Sequence, residues 1–262
     1  MDPEIEPLPD IPVNLNAVDV MADRWWVGVG GSPSARDVWF GGHRVPTALE
    51  CRFPLVCALD RDTAVLVDAR AHSGHPNAWV LRADGTQTAE FEVGDAVESL
   101  ACVHGRLVVT HFDEGYGNRL HGMLVFDRSG SLQMHYSRDI AGACDIVDCY
   151  AVGNAGGDSV LLLIDPDFPL AEVDLSRRTQ RVWSTPEAVQ GARAISAIGQ
   201  TIFFHGSYAD STAVHAWRRG SKEAVQIASF AAPLHGLAAG WFLTRSDGQV
   251  VRVRFEAPLG DD

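Results

Sequence analysis

One loop of the sequence concentrates side chains that bind ligands. It follows the apolar segment Leu107–Thr110 and contains Asp113, Glu114, Tyr116, Asn118, Arg119 and His121. Carboxylate and amide oxygens are the ligands that Ca²⁺ and Mg²⁺ prefer in proteins. Asp113 and Glu114, with Asp148 from a later segment, are therefore the candidate ligands of a divalent cation, either Ca²⁺ or Mg²⁺, which is the cofactor that the sequence suggests.

Histidines provide a second chemistry, because imidazole exchanges protons near neutral pH. His72 and His75, or His111 and His121, are candidate general bases for a hydrolytic reaction. The sequence has no Gly-x-Ser-x-Gly nucleophile motif to support such a reaction. A structural alternative also stays open, since Asp, Asn and Gly residues shape long turns without any catalytic role.

Composition excludes several classes of function. The net charge of −13 and a pI near 5.1 disfavour binding to nucleic acid, which draws on clustered Lys and Arg. No apolar run approaches the roughly 18 residues of a membrane span, and the acidic N-terminus does not resemble a secretory signal. The five cysteines lie in apolar segments and are interpreted as reduced core residues. We therefore expect a cytoplasmic protein without membrane contact.

A repeated pattern positions these residues. Six times, a short strand and a polar turn precede a strongly apolar strand, which begins at Trp25, Ala64, Leu107, Val160, Thr201 and Trp241. The intervals are 39, 43, 53, 41 and 40 residues, and the longest is assigned to a seven-residue turn, Gly153–Ser159. A period of about 40–45 residues with four strands per repeat predicts a β-propeller.

The predicted fold is all-β, a six-bladed propeller with four antiparallel strands per blade and a single domain over residues 1–262. The sixth repeat lacks a fourth strand, so we expect residues 4–13 to close the ring as its outermost strand, where proline is tolerated. Ala48–Phe53 is the predicted fourth strand of the first blade. No convincing helix is predicted, since the best candidate, Pro186–Ala194, is short and interrupted by Gly191. The predicted blades span residues 14–53, 54–94, 95–138, 139–185, 186–230 and 231–256.

In such a propeller, the loops between strands two and three and the connections between blades lie on one face. We call these segments the long loops, and they contain the candidate ligand-binding residues Asp113, Glu114, Tyr116, Asn118, Arg119, His121, Asp148, His72 and His75. Loops on a rigid scaffold often carry function. Three interpretations compete for this face: a cation site, hydrolysis, and recognition of a protein or small molecule, which requires no special motif.

The period and blade number resemble those of NHL-type, TolB-type and gluconolactonase-type propellers; WD and kelch signatures do not recur. A closer resemblance is to a group of uncharacterised bacterial propeller proteins, carried by His111-Phe-Asp-Glu-Gly115, Asp148-Cys-Tyr-Ala151 and Phe168-Pro-Leu170. That group implies no activity, whereas gluconolactonase-like enzymes hold a cation with carboxylate and Asn ligands. The leading hypothesis is thus a binding or protein-interaction module, and the alternative is a metal-dependent hydrolase or lactonase.

Overall fold

Six four-stranded antiparallel sheets make up nearly all of the regular structure. A computed structural model describes residues 3–8, 10–70, 74–112, 122–246 and 248–256. Each sheet is one blade of a six-bladed β-propeller, which confirms the predicted fold class. Within the described residues, no helix is long and apolar enough to cross a membrane.

The first strand of the chain, β1 (Glu4–Pro7), belongs to the last blade. Blades 1 to 3 lie in one compact unit, Asp10–Asp148. Blade 1 contains β2 (Ala17–Val20), β3 (Trp26–Ser32), β4 (Ala35–Phe40) and β5 (His43–Pro46). Blade 2 contains β6 (Pro54–Ala58), β7 (Thr63–Asp68), β8 (Ala78–Arg82) and β9 (Gln87–Phe91). Blade 3 contains β10 (Val97–Val103), β11 (Arg106–His111), β12 (Met123–Phe126) and β13 (Leu132–His135).

Blades 4 to 6 lie in a second unit, made of the chain from Cys149 onward and the residues before Asp10. Blade 4 contains β14 (Asp148–Gly156), β15 (Ser159–Asp165), β16 (Leu170–Asp174) and β17 (Thr179–Trp183). Blade 5 contains β18 (Ala194–Ile198), β19 (Thr201–His205), β20 (Ala213–Arg218) and β21 (Val225–Ser229). Blade 6 contains β22 (His235–Gly236), β23 (Trp241–Ser246) and β24 (Gln249–Arg254), together with β1. That the whole chain is one domain stays a prediction.

The second strands of blades 1 to 5 contain a continuous stretch of residues that are buried on both faces of the sheet. In blade 6, β23 ends in the exposed Arg245 and Ser246. In β15, the residues from Val160 to Ile164 are all fully buried. Each second strand begins within one residue of its predicted start, since a continuous apolar run between two turns marks such a strand clearly. Clusters of these side chains fill the space between facing sheets, for example Val65 and Val67 of blade 2 against Leu107 and Val109 of blade 3.

The N-terminal segment supplies the missing strand of blade 6, as the repeat pattern predicts. β1 pairs antiparallel with β24, with Glu4 opposite Arg254 and Pro7 opposite Val251. Glu6 forms an ion pair with Arg252, whose side chain is buried. The strand covers only part of the predicted residues 4–13, although the backbone N–H of Leu8 still donates to Val250 O at 3.1 Å.

Two local predictions were wrong. The fourth strand of blade 1 is β5, not Ala48–Phe53, because Gly41 and Gly42 adopt positive φ angles of 52° and 96° and close a two-residue hairpin turn. Gly153 to Gly156 belong to β14, so the predicted turn Gly153–Ser159 is much shorter. Pro186–Ala194 contains only a 3₁₀ turn, Glu187–Val189, in agreement with the prediction that it is not a convincing helix. A single helical turn that the sequence did not predict lies at Tyr136–Asp139.

Candidate functional site

A cleft of about 630 Å³ opens between blades 1 and 2, among their long loops. One wall comes from the β3–β4 turn and the segment that connects the two blades, and the other from the loop before β8. The lining residues are Pro33, Ser34, Glu50, Cys51, Arg52, Phe53, Asp68, Arg70, His75, Pro76, Asn77, Trp79 and Asp95. The cleft therefore combines cations, acids and two aromatic rings, and it contains the predicted site residue His75.

The acids of this cleft already accept hydrogen bonds from the protein. The two carboxylate oxygens of Asp68 accept from the backbone N–H groups of Arg52 at 2.7 Å and Phe53 at 3.1 Å. The carboxylate of Asp95 pairs with Arg70 Nε at 3.5 Å. These bonds hold the connecting segments in place, so much of the charge in the cleft serves the fold.

Buried polar side chains hold the cleft from beneath. Arg36 is only 2% exposed, and its guanidinium donates to Cys51 O at 2.7 Å, Asn16 Oδ1 at 2.8 Å, Gly31 O at 2.9 Å and Arg52 O at 3.3 Å. Because all four acceptors belong to uncharged groups, Arg36 acts as a hydrogen-bonding brace. Two of them are backbone carbonyls of the segment between blades 1 and 2, which forms a wall of the cleft.

Asn77 plays the same part for the segment that joins blades 2 and 3. Its amide nitrogen donates to Asp68 O at 2.9 Å and Gly94 O at 2.8 Å, and its amide oxygen accepts from Val93 N at 2.9 Å. His111, a candidate general base, holds the same segment, since its Nε2 lies 2.8 Å from Val93 O. His111 is 2% exposed, and burial lowers the pKa of its imidazole. It is therefore a structural, neutral side chain.

A second candidate site, the aromatic cluster, lies on blades 4 and 5 and consists of Tyr150, Phe168, Tyr208 and Arg193. The three rings meet edge to face, with centroid distances of 5.0 Å from Tyr150 to Phe168, 5.8 Å from Tyr150 to Tyr208 and 5.5 Å from Phe168 to Tyr208. The guanidinium of Arg193 lies 4.3 Å from the centre of the Tyr150 ring, a cation–π contact. Tyr208 is 64% exposed, so the cluster presents a large ring to solvent.

The exposed ring is held in a defined position. The backbone N–H of Tyr208 donates to Gln190 O at 2.9 Å, and the two tyrosine hydroxyls are hydrogen-bonded to each other. Gly191 lies directly beneath the ring, and a Cβ at this position would come within 2.6 Å of it. Its φ of +72° also suits glycine. The cluster is thus preorganised before any partner arrives.

Most of the predicted site residues lie outside the described part of the chain: His72, Asp113, Glu114, Tyr116, Asn118, Arg119 and His121. Asp148 is the half-buried first residue of β14 and does not line the cleft. Among the described residues, no group of three or more His, Cys, Asp or Glu side chains could hold a metal ion. The Ca²⁺ or Mg²⁺ site, and the hydrolase that depends on it, therefore stay predictions.

The aromatic cluster was not among the predicted sites, although a signal for it existed. Tyr150 and Phe168 lie in two of the segments that carry the resemblance to bacterial propellers, and Tyr208 stands in the long loop of the next blade. Aromatic residues at matching ends of consecutive repeats would have indicated a shared surface. Only the structure, however, brings the three rings and Arg193 into contact.

No protein-family model and no curated protein sequence matches the chain. Several solved structures resemble it. A chain of the nidogen/laminin complex has a TM-score of 0.58 at 13% identity, over 85% of this chain and 83% of that one. Virginiamycin B lyase from Staphylococcus aureus has a TM-score of 0.54 at 6% identity, over 97% of this chain and 99% of that one. U3-55K has a TM-score of 0.57 at 15% identity, over 95% of this chain and 80% of that one. At these identities the likeness establishes the propeller fold alone.

Proposed function

We propose that the protein is a binding module that recognises a protein segment through its long loops, with the aromatic cluster at the centre of the contact surface. The observation that carries this proposal is the exposed, preorganised ring of Tyr208. Tyrosine, tryptophan and arginine supply most binding energy at protein interfaces, since a rigid ring buries a large area at a small cost in conformational entropy. Tyr208 and Arg193 offer that combination.

Charge indicates the kind of partner. The chain has a net charge of −13, and the exposed Asp167 and Asp210 stand in the same two loops as Phe168 and Tyr208. Backbone and hydroxyl hydrogen bonds from Thr212 lower the pKa of Asp210 and keep it ionised. A segment with Lys or Arg beside an apolar side chain would match this surface, because complementary charge favours encounter and register.

The similar structures are compatible with such a role. One belongs to the nidogen/laminin complex, an assembly of two proteins, and another is a lyase, so the fold serves both kinds of function. The five free thiols support a reducing compartment, and we place the module in the cytoplasm.

A display library of random peptides provides the test. We expect selection on the full-length protein, with counter-selection on Tyr208→Ala, to enrich peptides that contain basic and apolar residues. A synthetic enriched peptide should bind Tyr208→Ala at least about 30-fold more weakly, which corresponds to roughly 2 kcal/mol for a central interface residue.

Val225→Ala is the matched control. Val225 is 58% exposed on β21 of the same blade, beside the turn that follows β20 and away from the cluster. The Val225→Ala variant should bind the enriched peptide with the same affinity as the wild type. Equal enrichment on Tyr208→Ala, or an equal loss with Val225→Ala, would contradict a binding surface centred on the aromatic cluster.

A further inference from the structure

Two of the five cysteines meet in the structure although the sequence separates them. Cys57 lies in β6 and Cys102 in β10, the first strands of blades 2 and 3, which are in contact with each other. Their thiols form a hydrogen bond with one another. Both cysteines are in the free, reduced form.

The two thiols have unequal environments. Cys102 is half-buried, whereas Cys57 is 1% exposed. The hydrogen bond with the Cys57 thiol, with help from the backbone N–H of Gly105 and the positive charge of Arg128, lowers the pKa of Cys102. The same bond raises the pKa of Cys57. Cys102 is therefore the more accessible thiol of the pair and the one with the lower pKa.

An acid from a third blade completes the group. Asp19 lies in β2, the first strand of blade 1, which contacts β6. Its carboxyl accepts hydrogen bonds at 2.8 Å from the backbone N–H groups of both Ala58 and Val20, and it also contacts the Cys57 thiol. Burial raises the pKa of this carboxyl, which brings it closer to the range useful for proton transfer.

We propose that Cys57 and Cys102 form a redox modification site, at which a hydroperoxide converts the two thiols into a disulfide that links β6 to β10. A half-buried thiol that peroxide can reach lies against a fully buried thiol of the neighbouring blade, and both pack in one core cluster, so the second sulfur is in place to close a disulfide. The proposal concerns blades 1 to 3 and is independent of the aromatic cluster.

The chemistry balances in two steps. The Cys102 thiolate attacks one oxygen of the peroxide, the O–O bond breaks, and the leaving oxygen takes a proton, which leaves a sulfenic acid on Cys102. The sulfur of Cys57 then attacks the Cys102 sulfur as Asp19 accepts its proton. The S–O bond breaks, the departing hydroxyl takes that proton from Asp19, and water leaves. Two thiols are oxidised by two electrons, and hydrogen peroxide is reduced to two molecules of water.

Two other cysteines serve as internal controls. Cys51 is fully buried, and burial raises the pKa of its thiol to about 12. Its Sγ donates to Val67 O at 3.6 Å. Cys149 is also fully buried, and its Sγ donates to Ala151 O at 3.7 Å. Neither should react with peroxide at the rate of Cys102.

The test treats the reduced full-length wild type with hydrogen peroxide and measures intact mass, followed by peptide mapping without reduction. We expect a loss of two hydrogen atoms, one cross-linked peptide pair that contains Cys57 and Cys102, and recovery of both thiols with dithiothreitol. Free cysteine added to the same reaction shows that the peroxide is active. The proposal is overturned if the protein keeps all five thiols while this free cysteine is fully oxidised, or if the cross-link joins other cysteines.

Variants separate the roles of the two thiols. In Cys57→Ser, the sulfenic acid on Cys102 should persist and be trapped by dimedone, whereas Cys102→Ser should yield neither sulfenic acid nor cross-link. Cys51→Ser and Cys149→Ser should cross-link at the wild-type rate. Dimedone labelling of Cys57 rather than Cys102 would reverse the assignment and contradict the proposed order of attack.

Asp19 is tested as a positioning residue and proton acceptor. In Asp19→Asn, we expect disulfide formation to slow by about 10-fold to 100-fold, at the lower end of general-base effects. The sulfenic acid on Cys102 should accumulate before the disulfide forms, a signature that a merely structural role of Asp19 would not produce. An unchanged rate of the second step would remove Asp19 from the mechanism.

Discussion

The cleft of blades 1 and 2 and the aromatic cluster of blades 4 and 5 are built from the same kind of loop but are held together differently. Hydrogen bonds to backbone groups hold the cleft, from buried Arg36 and Asn77 and from the half-buried carboxylate of Asp68. Ring contacts, one cation–π contact and the hydrogen bonds of Tyr208 hold the cluster, and the Tyr208 ring stays exposed.

This difference separates structural charge from binding surface. In the cleft, Arg36, Asp68 and Asn77 satisfy the backbone of the segments between blades. A ligand would have to compete with those bonds, since breaking a buried hydrogen bond leaves its partner unsatisfied. In the cluster, no backbone group has to be released before a partner can cover Tyr208. The aromatic surface is therefore the better binding site.

The largest effect that tests this comparison is expected from Arg36→Ala. Removal of the buried guanidinium leaves the carbonyl oxygens of Cys51, Gly31 and Arg52 without their donor. We expect the free energy of unfolding to fall by about 3 kcal/mol, as for loss of a buried network. Urea denaturation followed by circular dichroism measures this change.

Arg52→Ala is the control for that experiment, because Arg52 lines the same cleft with an exposed side chain. Its free energy of unfolding should stay within about 0.5 kcal/mol of the wild type, as for most surface substitutions. Equal losses in the two variants would show that the cleft is not supported from beneath by Arg36.

Gly191→Ala probes the support of the aromatic cluster. The new methyl group would meet the Tyr208 ring at 2.6 Å, and the φ of +72° strains any residue with a Cβ. We expect a loss of about 1–2 kcal/mol in unfolding free energy. The displaced ring should also lower the affinity for the selected peptide, which isothermal titration calorimetry measures.

The matched control is Gly157→Ala in the β14–β15 turn of blade 4. Gly157 has a φ of +55°, and a Cβ there would meet nothing within 4 Å. This variant carries the backbone strain alone, so its affinity for the peptide should be unchanged. A peptide affinity that falls equally in both glycine variants would show that the ring does not depend on its glycine support.

The sequence predicts the strands far better than it predicts the sites. Each second strand stands out as a run of apolar residues between turns, as in Leu161–Ile164, because burial on both faces leaves a local pattern. The missing fourth strand of the last repeat likewise indicates that the N-terminus completes blade 6. These features depend on neighbours along the chain or on counting repeats.

The sites depend on packing between blades, which leaves no local pattern. The sequence does not place Cys57 beside Cys102, because the two belong to different repeats. Aromatic residues at matching ends of repeats indicate a shared surface but do not by themselves place Tyr150 against Tyr208. Residue type misleads for the same reason. His75 is exposed in the cleft, whereas His111 is buried against Val93 O. The burial of each histidine, and not its chemistry, decides its role.

The smallest expected effect is a pH dependence on the cleft side, through His111. Its Nε2–H donates to Val93 O, next to the Asp95 segment. Burial lowers the pKa of the folded-state imidazole, so the unfolded chain binds more protons in mildly acidic solution. The contribution to stability is thus fully present above the unfolded pKa of about 6.5 and is lost as the pH falls below it, by at most about 1.4 kcal/mol per pH unit.

His111→Gln removes this titration while its amide can still donate to Val93 O. We expect its free energy of unfolding, measured by urea denaturation between about pH 5 and pH 8, to fall less steeply on acidification than that of the wild type. His215 and His235, whose pKa values burial also lowers, titrate in both proteins and cancel in the difference. If the free energy of unfolding depends on pH equally in the variant and the wild type, His111 does not couple the cleft wall to pH. A weaker pH dependence in the variant would show that His111 stabilises the folded protein. That result would agree with the contrast between the cleft, whose polar side chains stabilise the fold, and the exposed aromatic cluster.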